Sequence, residues 1–107
     1  MTELKEYLDA NGHSPFEGWF NTLDHRAAAK VTVAIVRLRH GNVSNTKSIG
    51  GGVMEYRIDF GPGYRIYFGR GGDEIIILLG GGTKQRQQTD IERAKVRWQD
   101  YKARKKG

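Results

Sequence analysis

Residues 53–68 read Val53-Met54-Glu55-Tyr56-Arg57-Ile58-Asp59-Phe60-Gly61-Pro62-Gly63-Tyr64-Arg65-Ile66-Tyr67-Phe68. Two alternating runs flank a Gly-Pro-Gly turn, and the pattern predicts a β-hairpin. Side chains on a strand alternate between faces. Met54, Tyr56, Ile58 and Phe60 therefore share one face with Tyr64, Ile66 and Phe68 of the second strand. Glu55, Arg57 and Asp59 share the opposite face with Arg65 and Tyr67. One face is apolar. The other carries two arginines, two carboxylates and a phenol, groups that can bind a phosphate and move protons.

The rest of the chain reads outward from this hairpin. A first short strand is expected at Thr2–Leu8. Ser14-Pro15-Phe16-Glu17 is a helix start, with a capping serine, a glutamate three residues later and proline at the first helical position. Phe16, Trp19, Phe20 and Leu23 form the apolar stripe of that helix, which is expected to stop near Asp24. Residues 25–40 carry a β-branched run, yet Ala27, Val31, Ala34, Ile35 and Leu38 recur at helical spacing, and Gly41 is placed to end a helix. A second helix is predicted there. Asn42–Gly52 reads as a loop containing Lys47. Strands are expected at 53–60, 64–69 and 74–80, and the last, apolar at successive positions, should be covered on both faces. A final helix is expected over 89–102, with Ile91, Ala94, Trp98 and Tyr101 as its stripe and residues 103–107 as a frayed basic tail. The order β-α-α-β-β-β-α predicts an α+β fold, with helices laid on one face of a small, mostly antiparallel sheet. The two N-terminal helices share that face, and a C-terminal helix completes the order.

Composition bounds the function. The 107 residues suffice for one domain with a modest core. There is no cysteine, which excludes disulfides, thiolate metal sites and cysteine nucleophiles. His13, His25 and His40 have no ligand spacing, so neither a metal nor another cofactor is expected. The longest apolar run, Ile75–Leu79, is far too short to span a membrane, and the expected location is cytoplasmic. The net charge of +6 favours a polyanionic partner. That charge is concentrated at the C-terminal end, where residues 84–107 hold nine Lys or Arg against three acids.

Gly80-Gly81-Gly82-Thr83-Lys84 resembles a phosphate loop but fails the Walker spacing, because Thr83 separates the last glycine from the lysine. Two readings of it remain: backbone N–H groups that approach an anion beside Lys84, or a plain strand-to-helix connection. Arg57 and Arg65 on facing strands are equally open. They can clamp a phosphate with their planar forks, or pair across the strands with Glu55 and Asp59. Tyr67 shares their face and can stack on a base or donate a proton.

Gly41-Asn42, Lys47, Gly52, Glu55-Tyr56-Arg57-Ile58-Asp59, Gly61 to Phe68, Leu78-Leu79, Gly81-Gly82, Lys84, Gln88, Asp90-Ile91 and Ala94 together resemble the "addiction module killer" proteins. These are HigB-like toxins of the RelE/ParE superfamily in bacterial toxin–antitoxin systems. The likeness covers nearly the whole chain and makes residues 1–107 one toxin domain. It implies a toxin that enters the ribosomal A site and cuts mRNA there without a metal, by attack of the RNA 2′-OH on the adjacent phosphate. It also implies a cognate antitoxin, usually a helix-turn-helix protein encoded alongside.

By the same resemblance Arg65 holds the scissile phosphate and Arg57 assists it. Lys84 contacts phosphate or donates a proton, Asp90 stands near a catalytic position, and Lys47 touches the RNA backbone. The chain departs from its relatives at Thr83, where many have Asp, at Asp59, where several have a basic residue, and in lacking a histidine beside Lys84. The general base stays open among Asp59, Glu55 and Asp90. Arg65→Ala is expected to abolish activity and leave the fold intact. A ParE-like gyrase poison and a non-enzymatic RNA- or protein-binding module are the alternative readings.

Overall fold

The computed structural model describes residues 2–72 and 75–106. Five strands form one sheet: β1 (Glu3–Glu6), β2 (Thr46–Gly50), β3 (Val53–Ile58), β4 (Tyr64–Gly71) and β5 (Ile75–Thr83). Their spatial order is β1-β5-β4-β3-β2. Only the β1–β5 pair is parallel; the β2–β3, β3–β4 and β4–β5 pairs are antiparallel. Three helices complete the fold: α1 (Pro15–Phe20), α2 (His25–Arg39) and α3 (Gln87–Lys106), the last entered through a 3-10 turn at Lys84–Arg86. The α+β architecture and its element order match the sequence expectation, with one strand added. Among the described residues, no helix is long and apolar enough to cross a membrane.

Local chemistry accounts for the helix boundaries. The Ser14 Oγ accepts a hydrogen bond from the Glu17 N–H at 3.0 Å, and Pro15 stands at the first helical position. Such caps are worth about 1 kcal/mol. α1 ends at Phe20 rather than near Asp24, because Asp24 serves as the cap of α2, accepting from the Ala27 N–H at 2.8 Å. Leu23, expected inside α1, lies in the connection and still packs on the core. α2 buries Ala27, Val31, Ala34 and Leu38 at helical spacing, so periodicity prevails over β-branching.

The sheet has a core on each face. Tyr56, Ile58, Ile66, Phe68, Ile76 and Leu78 meet α1 and α2 on one side. Val53, Tyr67, Ile77 and Leu79 meet Ala94 and Trp98 of α3 on the other. The C-terminal helix therefore lies opposite the N-terminal pair, where the sequence order suggested helices on one face. β5 is covered on both faces, as its continuous apolar run required. Its glycines permit close packing. A side chain at Gly81 would run into the Trp19 ring, and one at Gly69 of β4 into the Trp98 ring.

Three expectations are corrected. β2 lies within the segment read as a loop. It is an edge strand with a bulge between Ser48 and Gly50 and only Ile49 packed on the core, so its apolar signal is too thin to show as alternation. The triglycine is part of β5, not a loop. The basic tail is helical to Lys106. Lys102 stacks over Trp98 (5.7 Å) and Lys105 over Tyr101 (5.8 Å), while the Arg104 Nη1 donates to the Leu8 carbonyl at 2.7 Å. These contacts hold the last turns that charge alone would leave solvated. Asp73 and Glu74, read as a turn residue and the start of the last strand, and the chain end at Gly107 lie outside the described residues.

Candidate functional site: a basic cleft beside the hairpin

The hairpin register sets Glu55 opposite Tyr67 and Arg57 opposite Arg65. β2 adds Lys47 opposite Glu55 on the other side of β3. The Lys84 N–H donates to the Gly63 carbonyl at 3.0 Å, which ties the end of β5 to the hairpin turn. Gly61 and Gly63 have φ of +55° and +81°, a left-handed turn that glycine adopts without strain. Together these elements frame a cleft of about 750 Å³ lined by Lys47, Arg57, Arg65, Lys84 and Asp59, with Asn45 and the turn backbone. Four cations face one carboxylate there. A cleft lined mainly by one sign of charge focuses its field on an anionic ligand.

The polar face of the hairpin proves to be divided. α3 covers the Glu55–Tyr67 half, with Gln87 of its first turn on Glu55 and Ala94 and Trp98 near Tyr67, and leaves the Arg57 half open. Glu55 is 0% exposed and Arg65 5% exposed. The Glu55 Oε2 accepts from the Gln87 Nε2 at 2.8 Å and stands 3.6 Å from the Arg65 Nε, while its Oε1 lies 3.9 Å from the Lys47 Nζ. A buried carboxylate is tolerated only when so compensated. Of the two readings of Glu55, the ion-pair partner is the one realised for Arg65, and the carboxylate has no access to solvent. The Arg65 Nη1 lies 3.4 Å from the Gly63 carbonyl, at the mouth of the cleft. Gln87, which no motif flagged, closes this network; the only signal in the sequence was its place at the start of the last helix.

Tyr67 is 1% exposed and offers no ring face to a base, so the stacking and proton-donor roles are withdrawn. Its hydroxyl is buried without a hydrogen-bond partner. Burial pushes its pKa up, and the charge of Glu55 adds to that. Asp90 also departs from expectation. It lies over Gly82 in a second cleft with Arg86, Arg93 and Arg97, apart from Arg57, Arg65 and Lys84. Burial raises its carboxyl above the ordinary range, against the opposing pull of those three arginines. Lys47, Arg57, Arg65 and Lys84 do come together. Asp59, exposed between Arg57 and the turn, is the carboxylate that lines their cleft.

Residues 18–99 match the family model described as phage-derived protein Gp49-like (DUF891). The matched span takes in the whole hairpin, Lys47, Lys84 and most of α3. An uncharacterized protein of Haemophilus influenzae is 43% identical over 82 residues, which cover 76% of this chain and 83% of that protein.

Proposed function

The chain belongs to the phage-derived Gp49-like family, and on that premise we propose that it is the toxin of a type II toxin–antitoxin pair, a ribosome-dependent mRNA endoribonuclease of RelE/HigB type. The Gp49-like family is associated with toxin–antitoxin systems, and a cognate antitoxin is the partner that follows. The observation that carries the nuclease reading is the convergence of Lys47, Arg57, Arg65 and Lys84 on one open cleft with a single carboxylate, Asp59, at its edge.

In this reading the mRNA lies in the cleft with its scissile phosphate against Arg57 and Arg65. The Asp59 carboxylate takes the proton of the 2′-OH. The 2′-oxygen attacks the adjacent phosphorus, and charge grows on the phosphorane oxygens. Arg57, exposed to the cleft, neutralises that charge together with Arg65, which Glu55 holds in place. The P–O5′ bond breaks, and Lys84 donates a proton to the departing 5′-oxygen. The products are a 2′,3′-cyclic phosphate and a 5′-hydroxyl. Lys47 steadies the neighbouring backbone. Each fixed donor for developing charge, and each positioned acid or base, is worth roughly 10²–10⁴-fold in rate.

Arg57→Ala is the incisive variant, because Arg57 is exposed and its loss leaves no buried charge unpaired. In a purified translation system, primer extension should find cuts at ribosome-phased positions with the wild type and cuts reduced about 10²-fold or more with Arg57→Ala. Arrest of growth with DNA-damage signalling and intact mRNA would replace the reading by a gyrase poison. Translation arrest with intact mRNA would replace it by a binding module.

A further inference from the structure

The first cleft does not account for the arginines of α3. Asp90, Arg93 and Arg97 stand at helical spacing on one side of that helix, and with Arg86, Trp19 and Gly82 they frame a cleft of about 290 Å³. Arg93 and Arg97 are four residues apart, where like charges repel. Burial pulls the Arg97 pKa down, and the charge of Arg93 adds to it. Arg97 is anchored by an Nη1 bond to the Leu79 carbonyl at 3.0 Å, whereas Arg86 and Arg93 are exposed. Among the described residues, none of the three forms an ion pair with Asp90 within 4.0 Å. Three guanidinium groups against one carboxylate leave a surplus of two positive charges. A packing role alone would not gather them.

The two clefts share a wall. Gly82, which lines the second, is the direct ladder partner of Arg65, which lines the first. Lys84 of the first and Arg86 of the second belong to the same 3-10 turn. The end of β5 thus borders both clefts, with the Trp19 ring over Gly81 and the Asp90 carboxyl over Gly82. Arginine forks match phosphate oxygens in geometry as well as charge. Trp19, whose ring packs against Gly81, closes the apolar side of the cleft.

We propose that this second cleft is a phosphate subsite, in which Arg86 and Arg93 hold a backbone phosphate of the same single-stranded RNA next to the one at Arg57 and Arg65. The proposal rests on the nuclease reading above for the identity of the strand. It extends the RNA site across the end of β5 to the face covered by α3. Asp90 is then a counter-charge that limits how tightly the phosphate is held, not a participant in the cut.

The test uses the full chain and the Arg86→Gln/Arg93→Gln double variant, both positions being exposed and outside the first cleft. Fluorescence anisotropy measures affinity for a labelled single-stranded RNA whose 2′-O-methyl sugars block cleavage, over a series of salt concentrations. Losing one phosphate contact should lower the slope of log K against log salt by about 0.7. Affinity at low salt should fall about tenfold. An RNA too short to reach beyond the first cleft should bind both proteins alike. Equal slopes and affinities on the longer RNA would overturn the subsite, even if the wild type cuts mRNA. The slope change seen in a wild-type protein that never cuts mRNA would uphold the subsite and refute the nuclease reading. Loss of binding to an acidic peptide such as polyglutamate, with RNA binding unchanged, would assign the cleft to a protein partner and overturn the proposal.

Discussion

Glu55→Leu should destabilise the fold by about 3–5 kcal/mol, because it leaves the Arg65 guanidinium buried without its counter-charge. Glu55 is 0% and Arg65 5% exposed, so water reaches the pair only from the cleft side of Arg65 and replaces the lost partner poorly. The Nε–Oε2 separation of 3.6 Å is an ion-pair distance rather than a hydrogen bond. The direct bond from Gln87 at 2.8 Å is the stronger single contact to the carboxylate, and its loss contributes about 1.5–3 kcal/mol of the total. Lys47 adds little, since its side chain is 54% exposed and lies 3.9 Å away. At about 4 °C per kcal/mol for a domain of this size, the midpoint should fall by roughly 12–20 °C.

The decisive comparison is a double-mutant cycle in urea. Arg65→Met alone strands Glu55 and should cost a similar amount. Glu55→Leu/Arg65→Met removes both charges, and replacing a buried pair by apolar side chains is commonly neutral or stabilising. The double variant should therefore recover most of the loss while remaining inactive. Additive losses in the double variant, or a single variant costing under about 1 kcal/mol, would refute the claim that these two charges are held by one another. The same reasoning revises the sequence-level expectation for Arg65→Ala. It strands Glu55, so it should impair the fold as well as the site.

Tyr67→Phe removes a buried hydroxyl without a partner, so stability should be unchanged or higher by up to about 1–3 kcal/mol, and mRNA cleavage should stay within about twofold. The native state also holds the Tyr67 proton more tightly than the unfolded chain, so stability is lost as pH rises above the ordinary tyrosine value of about 10; the Phe variant should lack that part of the alkaline loss, and a denaturation series from pH 8 to 11 checks it. Gly81→Ala should cost about 1–3 kcal/mol in urea unfolding because the Trp19 ring occupies the space, whereas Gly18→Ala, facing open space within α1, should gain about 0.5–1 kcal/mol. Burial holds the Asp90 carboxyl above its ordinary range, so its protonation favours the native state, a contribution fully present below about pH 4 and lost as pH rises. The stability of the wild type relative to Asp90→Asn should accordingly improve as pH falls from 7 to 4, and a relative decline would contradict the assigned burial.

The hairpin was legible because its information is local. A pleat of period two divides Met54 to Phe60 and Tyr64 to Phe68 between two faces in whatever fold they join, and the observed register keeps that division. The caps at Ser14 and Asp24 and the stripes of α2 and α3 are local in the same sense. β2 escaped notice because an edge strand with one packed residue leaves almost no hydrophobic period to read. The helical end at residues 103–106 escaped because aromatic partners at Tyr7 and Tyr101 hold Arg104 and Lys105. Charge composition alone suggests solvation there.

The alternation also placed Glu55, Arg57, Asp59, Arg65 and Tyr67 on one polar face, and the likeness to a toxin family drew Arg57, Arg65, Lys47, Lys84 and Asp90 from the chain as a group, of which the first four line one cleft. It could not say which of them meet solvent. That was settled by α3, which arrives from beyond β5, lays Gln87 on Glu55 and Ala94 and Trp98 near Tyr67, and stops short of Arg57. Burial is a property of what packs over a face, and for this face the covering residues lie more than 20 positions away in sequence. The same packing carries Asp90 to the far side of Gly82, among arginines that the sequence spreads over residues 86–97 and that only the folded helix turns toward a single cleft.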